Sequence, residues 1–450
     1  MNGARFFLIA LCCFLLAACD LRPLTEELTA AASLPNNEEP TDTDAATVDE
    51  QDAAPAEKKA QKADASGAGG ADQQRGAVAG APPPPDIDGV SFDGPVTISK
   101  GGTYRGNWQS DDPDVAAVTI DTTEPVTIAG SNIRSRGHLI ASNTRAADVT
   151  VVNNVAEGLN PQRSGQEKGR FVTLHRARRA VIAGNDVSST AGIEFVEYGG
   201  SGSGDQTFKV LANRVRNIDG RASSGDGMSN DDGAAELRQF VQLNRVTDVP
   251  GIEVAWNEVH NEPGKSRVED NVSVWISSGT AGSPIDIHDN YIDGAYPAKP
   301  ASDSYSGGGI MAGDGSEGGA PAHVVVRRNR VMNTTNYGIA ISSGRNMTLK
   351  NNRVLSTGRL PSGEPIAAQN VGAYVWNMLG VDFGDNSATG NVVGWEKPSE
   401  GRNDYWMPDA TQASGNASFS GAVTDAVIAK EYAAWQQDAQ AAGVTVGVGD

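Results

Sequence analysis

The chain has 450 residues, 53 of them glycine, and apolar residues make up 38%; that composition suits a turn-rich, all-β chain better than a string of mixed domains. Thirty-six basic residues stand against 56 acidic ones, a net charge of −20, which excludes sequence-independent nucleic-acid binding, because phosphate contacts require clustered cations. All 3 cysteines lie in the first nineteen residues, so a domain that starts later has neither a disulfide nor a cysteine metal site.

The amino terminus carries one cation, Arg5, then an apolar run from Phe6 to Leu16, and ends in Leu16, Ala17, Ala18 and Cys19. This is a signal peptide, too short to remain as a membrane anchor. Its last four residues resemble the lipobox of bacterial lipoproteins. The resemblance implies that Cys19 becomes the acylated first residue of the mature chain and holds it to the membrane of the cell envelope. Asp20 resembles an inner-membrane retention signal, and the membrane of residence stays open. Between Asp20 and Pro85 there are thirteen acids and five bases, with few aromatic or branched apolar residues. Such a segment cannot bury enough surface to order itself, so a tether is expected.

Beyond residue 90 a short pattern returns: apolar, two residues, Asn, one residue, usually apolar. It ends on Asn154, Asn185, Asn213, Asn244, Asn271, Asn290, Asn329, Asn352 and Asn386, a mean period of 29 residues. Between the copies lie short alternating segments, usually opened by glycine, at 171–174, 192–195, 251–254, 274–276, 309–311, 338–341 and 372–375. Period-two alternation reads as strand, and parallel strands at a repeat without crossover helices read as a solenoid. The pattern resembles the right-handed parallel β-helix of the pectate lyase-like superfamily, over roughly residues 90 to 420. Asn fits a corner because it tolerates the left-handed conformation and can bond the equivalent turn one coil away. Nine or more coils are expected. Ile428, Tyr432, Trp435, Ala439 and Ala442 fall at helical spacing before Gly443, which predicts an amphipathic capping helix for the far end. Residues from Phe92 to Ile120 are expected to cover the near end. The organisation is thus signal peptide 1–18, lipidated cysteine and tether 19–88, β-helix 89–420, and helix with tail 421–450.

Function in a solenoid comes from outward residues and from loops that break the period. The outward row of the glycine-opened strand is read as Thr173, Glu194, Ser229, Glu253, Trp275, Met311, Ala340 and Tyr374, with His175, Asp231, Ser277 and Trp376 in the next row. Acids, a histidine and flat rings on one sheet suit a polysaccharide groove. The loop at 157–170 and the residues after it supply Arg163, Lys168, Arg170, Arg176, Arg178 and Arg179, a basic cluster that could hold a uronate. The loop at 293–322 offers Tyr296 and Tyr305 as a rim. Trp256, Glu258 and His260 form a polar segment with Glu253, and Asp226, Asn230, Asp231 and Asp232 precede it.

Three readings stand side by side. The resemblance implies β-elimination on a uronate polymer, with calcium on Asp231, Glu253 or Glu258 neutralising the carboxylate and Lys168, Arg170 or His175 as base. Glycoside hydrolysis would use Glu194 and Glu253, read as two coils or about 9.6 Å apart, a spacing that leans toward inversion. The third is a glycan-binding or structural module without chemistry. The Gly-His-Gly and Arg-Ile-Lys motifs of polygalacturonase-like hydrolases are missing. Ser277 and Ser278 stand where the corresponding pectate lyase strand has Asp-His. The expected partners are a polysaccharide and a membrane, with the chain as a monomer.

Overall fold

The computed structural model describes residues 87–229, 237–302, 306–398 and 400–449. The signal peptide, Cys19 and the tether as far as residue 86, and also Asn230, Asp231, Asp232 and Tyr305, lie outside the described residues.

The described chain is a right-handed parallel β-helix. Three parallel sheets run its length, each collecting one strand per coil. Sheet 1 has eleven strands, from Val96–Ile98 to Tyr405–Trp406; sheets 2 and 3 have twelve each, beginning at Gly102–Tyr104 and Asn107–Ser110. One antiparallel pair, between Val392–Lys397 and Gly401–Arg402, ends sheet 3. Eleven coils at the usual strand separation make a prism roughly 50 Å long. Many strands bury alternate residues, while those at 258–260, 291–295 and 337–341 are buried throughout, and the core residues are mostly Val, Ile, Leu and Phe, as in Val172 and Leu174, or Ile193 and Phe195. Stacked in register from coil to coil, apart from shifts in sheet 1 at the strand of Gly308–Asp314, they form one continuous core. β-Branched residues dominate because they pack well on a pleated surface.

The corner between sheets 2 and 3 carries the asparagine ladder. Its members are Asn154, Asn185, Asn213, Asn257, Asn290, Asn329, Asn352, Asn391 and Asn416. Each but the last donates from its backbone N–H and its Nδ2 to the Oδ1 of the next, at 2.8 to 3.1 Å. Six of the nine expected positions are on the ladder. Asn244 and Asn271 instead lie in strands of sheet 1, and Asn386 caps Met347 from a separate position. The rungs are 23 to 44 residues apart, so the loops between them, not a fixed repeat, set the interval. The left-handed conformation falls on the residue before each rung, including Ala212, Trp256 and Arg328 at φ 52°, 58° and 55°. Asn is there for its amide, and its predecessor takes the turn.

Two further expectations are corrected. The C-terminal helix α1 (Asp425–Ala441) forms, and Gly443 at φ 71° ends it, but it lies along the flank of sheet 3 rather than over the end. Ile428, Tyr432 and Trp435 pack with Tyr291, Met332 and Leu355. Arg330 and Arg353 both pair with Glu431, and the Tyr432 hydroxyl donates to Glu258 at 2.7 Å. Residues 92–120 are not a separate cover. They contain the first coil itself, whose Trp108 closes the core at 8% exposure.

Candidate active site

The site is built on the outward face of sheet 1. Its central row runs Thr173, Glu194, Gln242, Ser273, Met311, Ala340, Tyr374 and Trp406, paired coil by coil. A second row runs His175, Val196, Asn244, Trp275 and Asp314, with a register shift at the last step. At the mouth of the same strands, Asp270, Gly308, Tyr337 and Val371 are neighbours.

Glu269 and Asp270 adjoin at the strand mouth, and Asp314, opposite Trp275 at the other end of the strand, adds its charge to their surroundings. Asp270 is buried at 5% exposure and accepts the Tyr337 hydroxyl. Its carboxyl is raised to about 7, chiefly by burial, against the opposing tyrosine bond and with a smaller push from the Asp314 charge. Burial likewise lifts Asp314 to about 6, with the Gly315 amide opposing. Glu269 is raised well above the usual carboxylate range by burial, then by repulsion from Asp270 and Asp314. Like charges in a dry site cannot all ionise, and such groups mark candidate acid and base catalysts.

A chain of polar contacts links this trio to the lower coils. Gln239 Nε2 donates to Glu269 at 2.7 Å. Arg170, 3% exposed, donates to Gln242 Oε1 at 3.0 Å and to the Ala191 carbonyl at 2.8 Å, and lies 3.6 Å from Glu194. Thr173 donates to the other Glu194 oxygen at 3.4 Å. Aromatic rings frame the acids. Tyr337 and Tyr374 meet edge to face at 5.5 Å, Trp376 packs beside them, and Arg245 lies 4.6 Å over the Trp275 ring.

The structure places Glu194 and Tyr374 in the central row of this sheet and His175 in the second, with Arg170 and Trp376 at the ends of the same strands; Trp275, expected beside Glu194, falls instead in the row of His175, and Ser273 takes its place. Glu253 does not join them. It belongs to sheet 2, between Lys209 and Asp286, because the sheet 1 strand of its coil is Val241–Asn244, whose Val-x-x-Asn imitates a corner. The two-coil separation from Glu194 falls with it. Lys209 at 2.6 Å and His288 at 3.1 Å hold Glu253 ionised; the His288 bond is the largest influence, and the carboxyl drops to about 2. A shallow hollow of about 320 Å³ beside it, lined by Arg179, Asp205, Lys209 and Ser283, has its charges paired off, Arg179 with Asp205 at 3.4 Å.

Glu258 lies in sheet 3 beneath α1. Although burial works against it, His260, Tyr432 and Arg214 bring it down to about 2. It shares no site with Glu253, and the calcium set drawn from these two is not assembled. Among the described residues no three His, Cys, Asp or Glu side chains are grouped to hold a metal ion. Trp256 occupies a left-handed corner and packs against the helix cluster, away from the groove. Lys168 is 3.4 Å from buried Asp219. Arg176 reaches Glu197 at 3.2 Å, Arg163 reaches Asp114 at 2.7 Å, and Arg178 and Arg179 share Asp148. The basic cluster is thus a set of ion pairs. Tyr296 is buried at 4%, not a rim residue.

Glu269, Asp270, Asp314, Tyr337 and Gln239 were missed by sequence reasoning. The available signal was the adjacent acid pair opening a Val-rich strand, obscured because Val268 and Asn271 were read as a corner. No protein-family model matches the chain, and no curated protein matches its sequence.

Proposed function

We propose that the outward face of sheet 1 is the groove of a polysaccharide-cleaving enzyme, carried to the cell envelope by lipidation at Cys19 and related in fold to the pectate lyase-like superfamily. The reaction it fits best is acid–base cleavage of a glycosidic bond. One observation carries this reading: the adjacent acids Glu269 and Asp270, with Asp314 further along the same face, are all raised above the usual carboxylate range by burial, and the half-buried rings of Trp275 and Trp376 lie on that face. Glycoside cleavage requires one carboxyl that gives a proton to the leaving oxygen and a second that is ionised. The interacting pair Glu269 and Asp270 supplies both over one pH range, since its protons leave in separate steps. Elimination is less well supported, because Lys168 and Arg170 are engaged by Asp219, Glu194 and Gln242.

The test is to incubate the full-length chain with neutral and uronate polymers, with and without calcium, following reducing ends and ultraviolet absorbance together. The expected result is reducing ends without absorbance and without a calcium requirement. Asp270→Asn and Asp314→Asn should each lower kcat roughly 10²- to 10⁴-fold. Unsaturated, absorbing product would restore the lyase reading. No product on any polymer would leave the binding module.

A further inference from the structure

Resting on the groove reading, we infer that the C-terminal end of this face is a stacking platform for uncharged sugar units, with Trp406 as its principal ring. Trp406 continues the central row one coil beyond Tyr374. It is 39% exposed where Tyr374 is only 8%, so a large flat ring stands open at the end of an otherwise covered aromatic row. Tyr405 beside it is also 39% exposed, and Met378 and Leu379, in the loop after the neighbouring strand of the same sheet, are 41% and 37% exposed. Contiguous exposed apolar surface of this kind marks a binding site.

The choice of occupant follows from what surrounds the ring. From Met311 through Ala340 and Tyr374 to Trp406 the central row holds no charged group, and the acids nearest its end are engaged, Asp404 by Arg402 and the Trp395 amide and Asp409 by the Asn377 amide. Along the strand mouths, amides replace acids: Asn370 donates to Asn336, and Asn403 donates to the Asn370 carbonyl at 2.7 Å. Flat rings bordered by neutral amides match the ring faces and hydroxyls of an uncharged sugar, and the row supplies no cation to neutralise a carboxylate. Four coil steps separate the strand of Asp270 from that of Trp406, roughly 19 Å. A ligand touching both is a polymer several units long, lying parallel to the solenoid axis.

The test uses the full-length protein, with a soluble mixed-linkage β-glucan and polygalacturonate as probes in affinity electrophoresis, and light scattering alongside. The wild type should be retarded by the glucan, and still be retarded in about 0.5 M salt, where ionic contacts are screened. Trp406→Ala should weaken retardation on the order of thirtyfold, as for a binding hot spot. Trp406→Phe should restore most of it, and Val115→Ser, at an equally exposed apolar side chain in another loop, should change nothing. Equal retardation of wild type and Trp406→Ala overturns the platform while leaving the cleavage reading in place. Binding that depends on Trp406 without any cleavage overturns the cleavage reading and keeps the platform. Retardation by polygalacturonate alone, lost in salt, overturns the uncharged class. A dimer abolished by Trp406→Ala, with no glucan binding, makes this end an interface between two copies and overturns the inference. No retardation by either polymer overturns both.

Discussion

Gly308 lies between Asp270 and Tyr337 in the strand-mouth row, and a Cβ there would collide with both the carboxylate oxygen and the tyrosine ring. Its glycine is required by space, since its φ is ordinary. That gap lets a tyrosine two coils away reach the acid, and the bond sets the acid's strength. Donation from Tyr337 stabilises the ionised form of Asp270, in opposition to burial. Tyr337→Phe should therefore raise the Asp270 carboxyl above about 7 and move the alkaline limb of the pH–rate profile upward, on the order of one pH unit. A limb that stays or moves down would separate the tyrosine from the acid. Gly308→Ala should break the same bond by displacement. None of this was readable from residue order, because a glycine, a tyrosine and an acid at positions 308, 337 and 270 become a unit only through winding.

At the scale of elements, the corner ladder carries the fold. A residue in the left-handed region costs of order 1 kcal/mol, yet Ala212, Trp256, Asp289, Arg328 and Asn351 all adopt it before a rung. The ladder that follows each of them offsets that cost. Asn257, fully buried, donates to Asn290 and to the Val210 carbonyl and accepts from both nitrogens of Asn213. Asn257→Ala orphans these groups and should cost about 3 kcal/mol, read as a lowered urea midpoint. Asn244→Ala, in sheet 1 and off the ladder, should cost less than about 1 kcal/mol; equal losses would show that the ladder is not special. Most strands were legible from their alternation, and six rungs from their asparagines. The failures share one cause. Two segments, Val241 to Asn244 and Val268 to Asn271, satisfy the corner pattern inside sheet 1 strands, and nothing local distinguishes an asparagine facing a neighbouring coil from one in a strand. Each error displaced an acid: the first put Glu253 in the groove, and the second hid Glu269 and Asp270. The helix was legible as amphipathic, but its docking face was not, since Glu258, Arg330 and Arg353 lie up to 174 residues before it in the chain.

Across the whole molecule, the acids divide into two classes that act on stability in opposite directions with pH. Glu253 and Glu258 are held down to about 2 from 4.5. Their contribution is present above about 4.5 and is lost as pH falls through the interval toward 2. Asp314 and Asp270 are lifted from 3.8 to about 6 and about 7. Their sign is reversed: the folded state binds protons more tightly than the unfolded chain, so stability is full below 3.8 and declines as pH rises through 6 and 7. The two trends overlap favourably between about 4.5 and 6, and the net charge of −20 adds self-repulsion on the alkaline side. The urea midpoint should therefore be higher at about pH 5 than at either pH 3 or pH 8. Asp270→Asn, which has no proton to lose, should flatten the alkaline slope and leave the acid slope alone. Glu258→Gln should flatten the acid slope, and should also lower the midpoint at pH 5, because the partly buried Arg214 loses one of its two carboxylate partners and His260 loses its charged acceptor. A midpoint that climbs from pH 5 to pH 8 in the wild type would mean that the groove acids are ionised at neutral pH, and the proton donor on which cleavage depends would be missing.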